Sequence, residues 1–168
     1  MQDAIPVEHS TGPDAALRSR LAGGPNALFA YGTLQFEAVL TPLLGRMPQS
    51  SPTTAPGWRA AALERRVYPG LVPASGAAAP GLLLTGLSPR EWEILDAFED
   101  DEYELRQITL ASGDRGWAYL WREGEVRAET WDADDFAARH LPAFAALCAR
   151  IAPDLAADDN RPGTRPSP

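Results

Sequence analysis

The stretch Ser88-Pro89-Arg90-Glu91 constrains this chain more than any other. Serine followed three residues later by glutamate is a capping box, and proline suits the first helical position. A helix that starts at a known residue has a known phase. Each residue advances about 100° around the axis, so Trp92, Ile94, Leu95 and Phe98 form one broad apolar face. Glu93 and Asp96 fall outside that face. Glu99 falls inside it, one turn after Leu95 and two turns after Trp92. The helix is therefore expected to lie on a core with a carboxylate at the end of its apolar stripe. An ionised carboxylate there is costly unless something pairs with it. Burial raises its pKa and makes it a candidate proton carrier near neutral pH. A glutamate in the last turn can also curl out to solvent, so the helix alone leaves both readings open.

The neighbours of this helix are strands. Residues 81–87 read as a buried strand leading into it, and 103–110 as a strand leaving it. The turn at 112–116 then connects to a partner strand over 117–122. That strand places Trp117, Tyr119 and Trp121 on one side, an aromatic row that reads as packing. Earlier, residues 27–31 form a short apolar strand, Gly32-Thr33 breaks it, and 36–44 reads as helix. Residues 58–63 and 66–72 are strand candidates, the second interrupted at Pro69-Gly70. The Pro/Ser/Thr-rich residues 47–56 and the small residues 74–80 read as loops. A last helical stretch starts at Trp131-Asp132, and Phe136, His140, Phe144, Leu147 and Ile151 share a face. Pro142 implies a kink or a restart there. Strands dominate and most neighbours can pair antiparallel. The class is α+β: a curled, largely antiparallel sheet or small barrel with helices packed outside.

A length of 168 residues suits one domain with a real core. We expect that domain over residues 26–151, a loosely ordered leader over 1–25 with a short helix near 14–21, and a disordered tail over 152–168. The net charge of −8 argues against nucleic acid as a partner. There is no lysine, which removes Schiff-base chemistry and the lysine of a phosphate loop. The lone Cys148 fits a reducing compartment. No signal-peptide pattern and no membrane-length apolar run is found, so a soluble cytoplasmic protein is expected. His9 and His140 with one cysteine cannot build a structural zinc site, and no metal is expected. His140 and Cys148 lie roughly 12 Å apart along one helical stretch, too far for a nucleophile–base pair. His140 itself reads as a packed or capping residue. Neither a Gly-x-Ser-x-Gly elbow nor a Gly-x-Gly-x-x-Gly turn occurs. What remains is a carboxylate and a glycine turn.

The turn is Tyr31-Gly32-Thr33-Leu34, between a strand and a helix. Successive backbone N–H groups there can point one way and cradle a carboxylate or an oxyanion. An ordinary strand-to-helix turn has the same four residue types. Taken together, though, the two stretches resemble the gamma-glutamylcyclotransferase-like superfamily, in its branch of plant avirulence-induced proteins and their bacterial relatives. The resemblance runs from about residue 27 to 149. It includes Phe29-Ala30-Tyr31-Gly32-Thr33-Leu34-Gln35, Val67-Tyr68-Pro69-Gly70-Leu71, Leu95-Asp96-Ala97-Phe98-Glu99 and Glu102-Tyr103. It continues through Tyr119-Leu120-Trp121, Trp131 and the helix over 136–144.

The resemblance implies a small mixed, largely antiparallel β-barrel with flanking helices. It implies that Tyr31, Gly32, Thr33 and Leu34 are the substrate loop, Glu99 the general acid/base, and Tyr103 a residue of the pocket wall. The implied reaction is an intramolecular aminolysis releasing 5-oxoproline from a gamma-glutamyl amine or peptide, a lyase-like acyl transfer without metal or cofactor. The implied partner is that small molecule alone; oligomeric state is left open. Many relatives carry Tyr-x-Arg followed by Arg or Lys where this chain has Tyr103-Glu104-Leu105-Arg106, so Leu105 departs from the pattern. The alternative is a binding or regulatory module that keeps the pocket and performs no chemistry.

Overall fold

The computed structural model describes residues 21–157 except Gly23, Asp100 and Glu123. Nearly all of the expected leader, including its helix, and the last eleven residues of the expected tail lie outside that range. In chain order the elements are β1 (Ala27–Ala30), a 3₁₀ turn (Thr33–Gln35), α1 (Glu37–Leu44), β2 (Gln49–Ala61), β3 (Gly70–Thr85) and α2 (Pro89–Glu99). Then follow β4 (Tyr103–Thr109), β5 (Arg115–Trp121), α3 (Ala133–Arg139) and α4 (Leu141–Ala157).

The five strands form one sheet in the order β2-β3-β1-β5-β4. The pairs β2–β3, β1–β3 and β4–β5 are antiparallel; β5 runs parallel to β1 at Leu28 and to β3 at Leu71. The sheet is mixed and mostly antiparallel, as expected, but it is not closed. No ladder joins β2 to β4 among the described residues, so the expected barrel is corrected to an open sheet. The curl comes from β3, which pairs with three strands. Pro56 opposes Ala78 and Trp58 opposes Pro73, so Gly57 alone faces residues 74–77. This bulge bends the strand, and Gly57 and Gly76 supply positive φ values of 81° and 79° within it. Its first part then reaches β5 and its second part reaches β1.

The bulge also explains two corrections. Residues 47–56 and 74–80 were expected as loops from their Pro, Ser, Thr, Gly and Ala content. From Gln49 and Ala74 onward they belong to β2 and β3. β2 is an edge strand, where a proline lacking its N–H costs no ladder bond, so Pro52 and Pro56 are tolerated. Its last residues are strapped from outside: the Ala62 N–H donates to Glu129 O at 3.0 Å and the Trp131 N–H to Ala60 O at 2.9 Å.

All four residues of β1 are buried, because it is covered on both faces. Leu28 and Ala30 face a core shared with Leu40, Leu43, Trp92, Leu95, Leu105 and Tyr119. Phe29 and Tyr31 face a second core with Ala55, Ala60, Leu71, Ile108, Ala118 and Leu120. This second core draws on all five strands. The terminal helices restart at Pro142, as expected: α3 ends on His140, whose N–H donates to Phe136 O at 2.8 Å, and α4 begins at Leu141. α4 continues to Ala157, with Ala152 and Leu155 packed on the first core. Residues 152–157, expected as the start of a disordered tail, are helical, and the rest of that expected tail lies outside the described residues. Among the described residues no helix is long and apolar enough to cross a membrane.

Candidate functional site

α2 starts as its sequence requires. The Glu91 N–H donates to Ser88 Oγ at 3.2 Å and the Ser88 N–H donates to Glu91 Oε2 at 2.8 Å, a complete capping box. With that phase, Trp92, Ile94 and Leu95 are buried and Phe98 packs against the same core. Trp92 is further held by Nε1 donating to Asn26 Oδ1 at 3.0 Å. Glu99 follows in the last turn of the stripe and faces a cavity of about 210 Å³.

β1 and the turn after it form the opposite wall. Leu28 through Leu34 all line the cavity, together with Tyr119. Phe98, Phe144 and Leu147 close it from the helices, and Tyr68, Pro69, Glu102 and Tyr103 border its other side. Every residue assigned to the site from the sequence, namely Tyr31, Gly32, Thr33, Leu34, Glu99 and Tyr103, borders this one cavity. Four positions that the sequence did not assign to the site, Tyr68, Pro69, Glu102 and Tyr119, border it as well, so Tyr119 of the aromatic row read as packing also reaches the cavity. Phe144 and Leu147 were read only as one face of a helix. Their spacing gave no sign that this face ends at a cavity.

Pro69 locks the glycine turn. Gly32 heads the 3₁₀ turn, and a Cβ built on it would lie 2.9 Å from Pro69 Cγ. Only glycine lets the two chains approach this closely. Pro69 is held in turn by Tyr103, whose hydroxyl donates to Pro69 O at 2.8 Å. The Tyr31 carbonyl accepts from Gln35 Nε2 at 3.0 Å, and the Tyr31 hydroxyl donates to Tyr119 O at 2.5 Å. The N–H groups of Gly32, Thr33 and Leu34 open the turn, where backbone donors have no partner within the turn itself. Beside the cavity, Arg66 is engaged on several sides. It pairs with Glu102, donates from Nε to Tyr68 Oη at 3.0 Å, and lies 5.3 Å from the Trp121 ring centre.

The electrostatics follow from what is absent around Glu99. No arginine among the described residues pairs with it. Part of its surface is reached from the cavity, but protein packs around the rest, and loss of hydration pushes its pKa up to about 8. The negative charge of Asp96, one turn back, acts in the same direction. The Tyr31 and Tyr103 hydroxyls are held neutral well beyond the usual phenol range, first by burial; the charge of Glu99 contributes to both. Burial, with a smaller contribution from Glu99, also pushes the Cys148 thiol up to about 11. The cavity thus brings together one carboxyl group with a raised pKa, two neutral phenols and the start of the glycine turn.

The departure at Leu105 has a plain structural outcome. Leu105 is buried in the first core, and the exposed Arg106 pairs with Glu104 at 3.7 Å. Neither borders the cavity. Among the described residues no group of His, Cys, Asp and Glu is arranged to hold a metal ion.

Known proteins resemble this chain in sequence and in fold. The chain is 29% identical over 138 residues to AIG2-like protein D of Arabidopsis thaliana, covering 77% of this chain and 91% of that protein. It is 32% identical over 124 residues to AIG2-like protein C of the same plant, covering 65% and 72%. A solution structure of an Arabidopsis thaliana protein superposes with a TM-score of 0.56 at 25% identity, covering 82% of this chain and 95% of that one. A crystal structure of an uncharacterized protein from Pyrococcus horikoshii shares the fold, with a TM-score of 0.52 at 15% identity, covering 69% and 96%. The profile described as gamma-glutamyl cyclotransferase, AIG2-like, matches residues 28–137, from the buried first strand to the helix that follows Trp131. The chain belongs to that family.

Proposed function

We propose that the chain is an enzyme that releases 5-oxoproline from a gamma-glutamyl amine or peptide, with Glu99 as its general acid and base. The observation that carries this reading is Glu99 itself. It is a carboxyl group on the wall of a cavity, unpaired with any cation among the described residues, with its pKa raised to about 8. A purely structural carboxylate gains from a cationic partner, and a proton carrier gains from a pKa near the working pH.

The chemistry needs little else. Glu99 as carboxylate takes a proton from the substrate α-ammonium. The freed amine attacks the γ-carbonyl carbon and a five-membered lactam closes. The attacking nitrogen sheds a second proton as the bond from that carbon to the amide nitrogen breaks; Glu99 passes both protons in turn to the departing amine, which leaves as its ammonium form. The proton balance on the enzyme is zero, and no covalent enzyme intermediate forms. The N–H groups of Gly32, Thr33 and Leu34 hold the α-carboxylate or the tetrahedral oxyanion, a kind of donor worth roughly 3 kcal/mol of barrier when removed. Tyr103 serves by holding Pro69 against Gly32. The cavity walls fold the substrate into its attack conformation. The domain over residues 26–151, extended through α4, is the functional unit in this reading, acting as a cofactor-independent cytoplasmic enzyme.

The test is release of 5-oxoproline from a panel of γ-glutamyl amino acids, γ-glutamyl-ε-lysine, glutathione and simple γ-glutamyl amines. Release from at least one member is expected. A folded protein that releases none but binds a panel member would be the binding module instead.

A further inference from the structure

The first peptide of the glycine turn is held by a side chain, and that side chain lies off the cavity wall. Resting on the cyclotransferase reading, we infer that Gln35 is a positioning residue. It latches the Tyr31–Gly32 peptide so that the Gly32 N–H stays turned into the cavity as a donor to the substrate anion.

A trans peptide is planar, and its C=O and N–H point in opposite directions. The described residues contain no cis bond. Three successive planes make the turn. The Thr33 carbonyl accepts from the Phe36 N–H at 3.3 Å and the Gly32 carbonyl from the Gln35 N–H at 3.2 Å. The Tyr31 carbonyl accepts from Gln35 Nε2 at 3.0 Å. A carbonyl oxygen only accepts, so the amide nitrogen is the end of Gln35 that faces it. All three carbonyls are thus drawn toward residues 35 and 36. The N–H groups in the same planes, those of Leu34, Thr33 and Gly32, point the other way. Tyr31, Gly32, Thr33 and Leu34 border the cavity; Gln35 and Phe36 do not. The side away from the carbonyls is therefore the cavity side.

The three planes are not equally secure. Two are pinned by backbone bonds, which need no particular side chain. The first depends on Gln35 alone, and it precedes a glycine. Glycine accepts either sign of φ, so the Tyr31–Gly32 plane turns over more readily than its neighbours. Turned over, it would present the Tyr31 carbonyl oxygen to the cavity and withdraw the Gly32 N–H. An acceptor would then stand where the substrate brings a carboxylate or an oxyanion. Pro69 does not prevent this. Its ring packs on the Cα of Gly32, which limits approach, and proline has no N–H with which to hold a carbonyl.

The test has one readout for the donor and one for the reaction. In proton–nitrogen NMR spectra of the full-length protein, titration with 5-oxoproline as a carboxylate probe should shift the Gly32 amide signal. Gln35→Met keeps the length and loses the donor. It should stay folded with little change in urea midpoint, yet lose the Gly32 shift. Its kcat/KM for 5-oxoproline release should fall by about tenfold to 10²-fold, within the range for a lost anion donor. Gln35→Glu, which sets oxygen against oxygen, should fall at least as far. Gln35→Arg places a donor, Nε, the same number of bonds from the backbone and should recover most of both readouts. A merely structural glutamine would instead be replaced best by methionine.

Full activity and an intact Gly32 shift in Gln35→Met would overturn the latch and leave the cyclotransferase reading standing. So would a loss that Gln35→Arg shares in full, or a wild-type Gly32 signal that 5-oxoproline never moves while substrate is turned over. No release from the wild type, with a Gly32 shift that Gln35→Met loses and Gln35→Arg restores, would overturn the reading and keep the latch. Neither release nor shift would overturn both. Should Gln35→Met fail to fold, the contrast of Gln35→Glu with Gln35→Arg decides in the same way.

Discussion

Helix α2 carries a glutamate at each end, and the two have opposite environments. Glu91, in the first turn, accepts from Arg46 Nε at 2.6 Å and Arg46 Nη2 at 2.9 Å, and from the Ser88 N–H. Those bonds to Arg46, with help from Ser88, hold its carboxyl below the usual range although burial opposes them. The helix dipole also favours a negative charge at that end. Glu99, in the last turn, has no such cation, is desolvated, and lies where the dipole disfavours its charge. Eight residues apart on one rigid element, one carboxylate is held charged and the other has its pKa raised toward neutrality. Sequence type alone does not separate them; the partners do.

The largest expected effect breaks the comparison at its reactive end. Glu99→Gln should lower 5-oxoproline release by about 10³-fold, the scale of a lost general acid/base, with an unchanged circular dichroism spectrum. Gly32→Ala comes next. Its Cβ would press on Pro69 and displace the donor row, and a shift of that size costs about 10²-fold in kcat, read by steady-state kinetics.

The third expectation concerns stability and pH. Glu99 has a folded-state pKa above its unfolded value. The native state therefore holds an extra proton between the ordinary carboxylate range and about 8. Stability should fall as pH rises through that window, by a few kcal/mol in urea titrations, and Glu99→Gln should flatten the profile. Glu91 has the opposite sign: its stabilisation is present above the ordinary carboxylate range and is lost as pH falls through its lowered pKa. Glu91→Gln should cost about 1–2 kcal/mol of folding free energy by losing a charge-assisted pair and weakening a cap, with kcat unchanged. The smallest effect sharpens the contrast. Leu147→Arg would bring a cation to the cavity of Glu99, and the rising limb of kcat/KM with pH should move to lower pH by a fraction of a unit.

The site was more legible in the sequence than the sheet. The capping box fixed the phase of α2, and phase alone put Glu99 in the buried stripe. Gly32 was legible because a strand ended and a helix began around it. Of the long strands β2 and β3, only the ends within 58–63, 66–72 and 81–87 were legible. Prolines and small residues argue against strand on local grounds, but tertiary pairing on a curled edge overrides them. The closed barrel failed for a related reason: no local signal tells whether β2 and β4 meet. Pro69, Tyr68 and Phe144 reach the cavity only through the fold, since Tyr103, Glu102 and Phe98, which meet them on its wall, lie 34 or more residues away. Residues 152–157 were assigned to the tail because the stretch from 152 is polar and Pro-rich, yet the helix passes through Pro153 to Ala157.

The edge strand β2 has a consequence for the behaviour of the protein at high concentration. An exposed strand is a template on which another chain can add. Here Pro52 and Pro56 remove two donors from the outer row, and the bulge twists the ribbon next to them. Residues 127–131 cover the end of the strand at Ala60 and Ala61, with Arg59 donating to the carbonyl oxygens of residues 127–129 at 3.1–3.3 Å. The composition that hides this strand from the reader of the sequence also hides it from neighbouring molecules. It lets an open sheet do without closure and still resist aggregation.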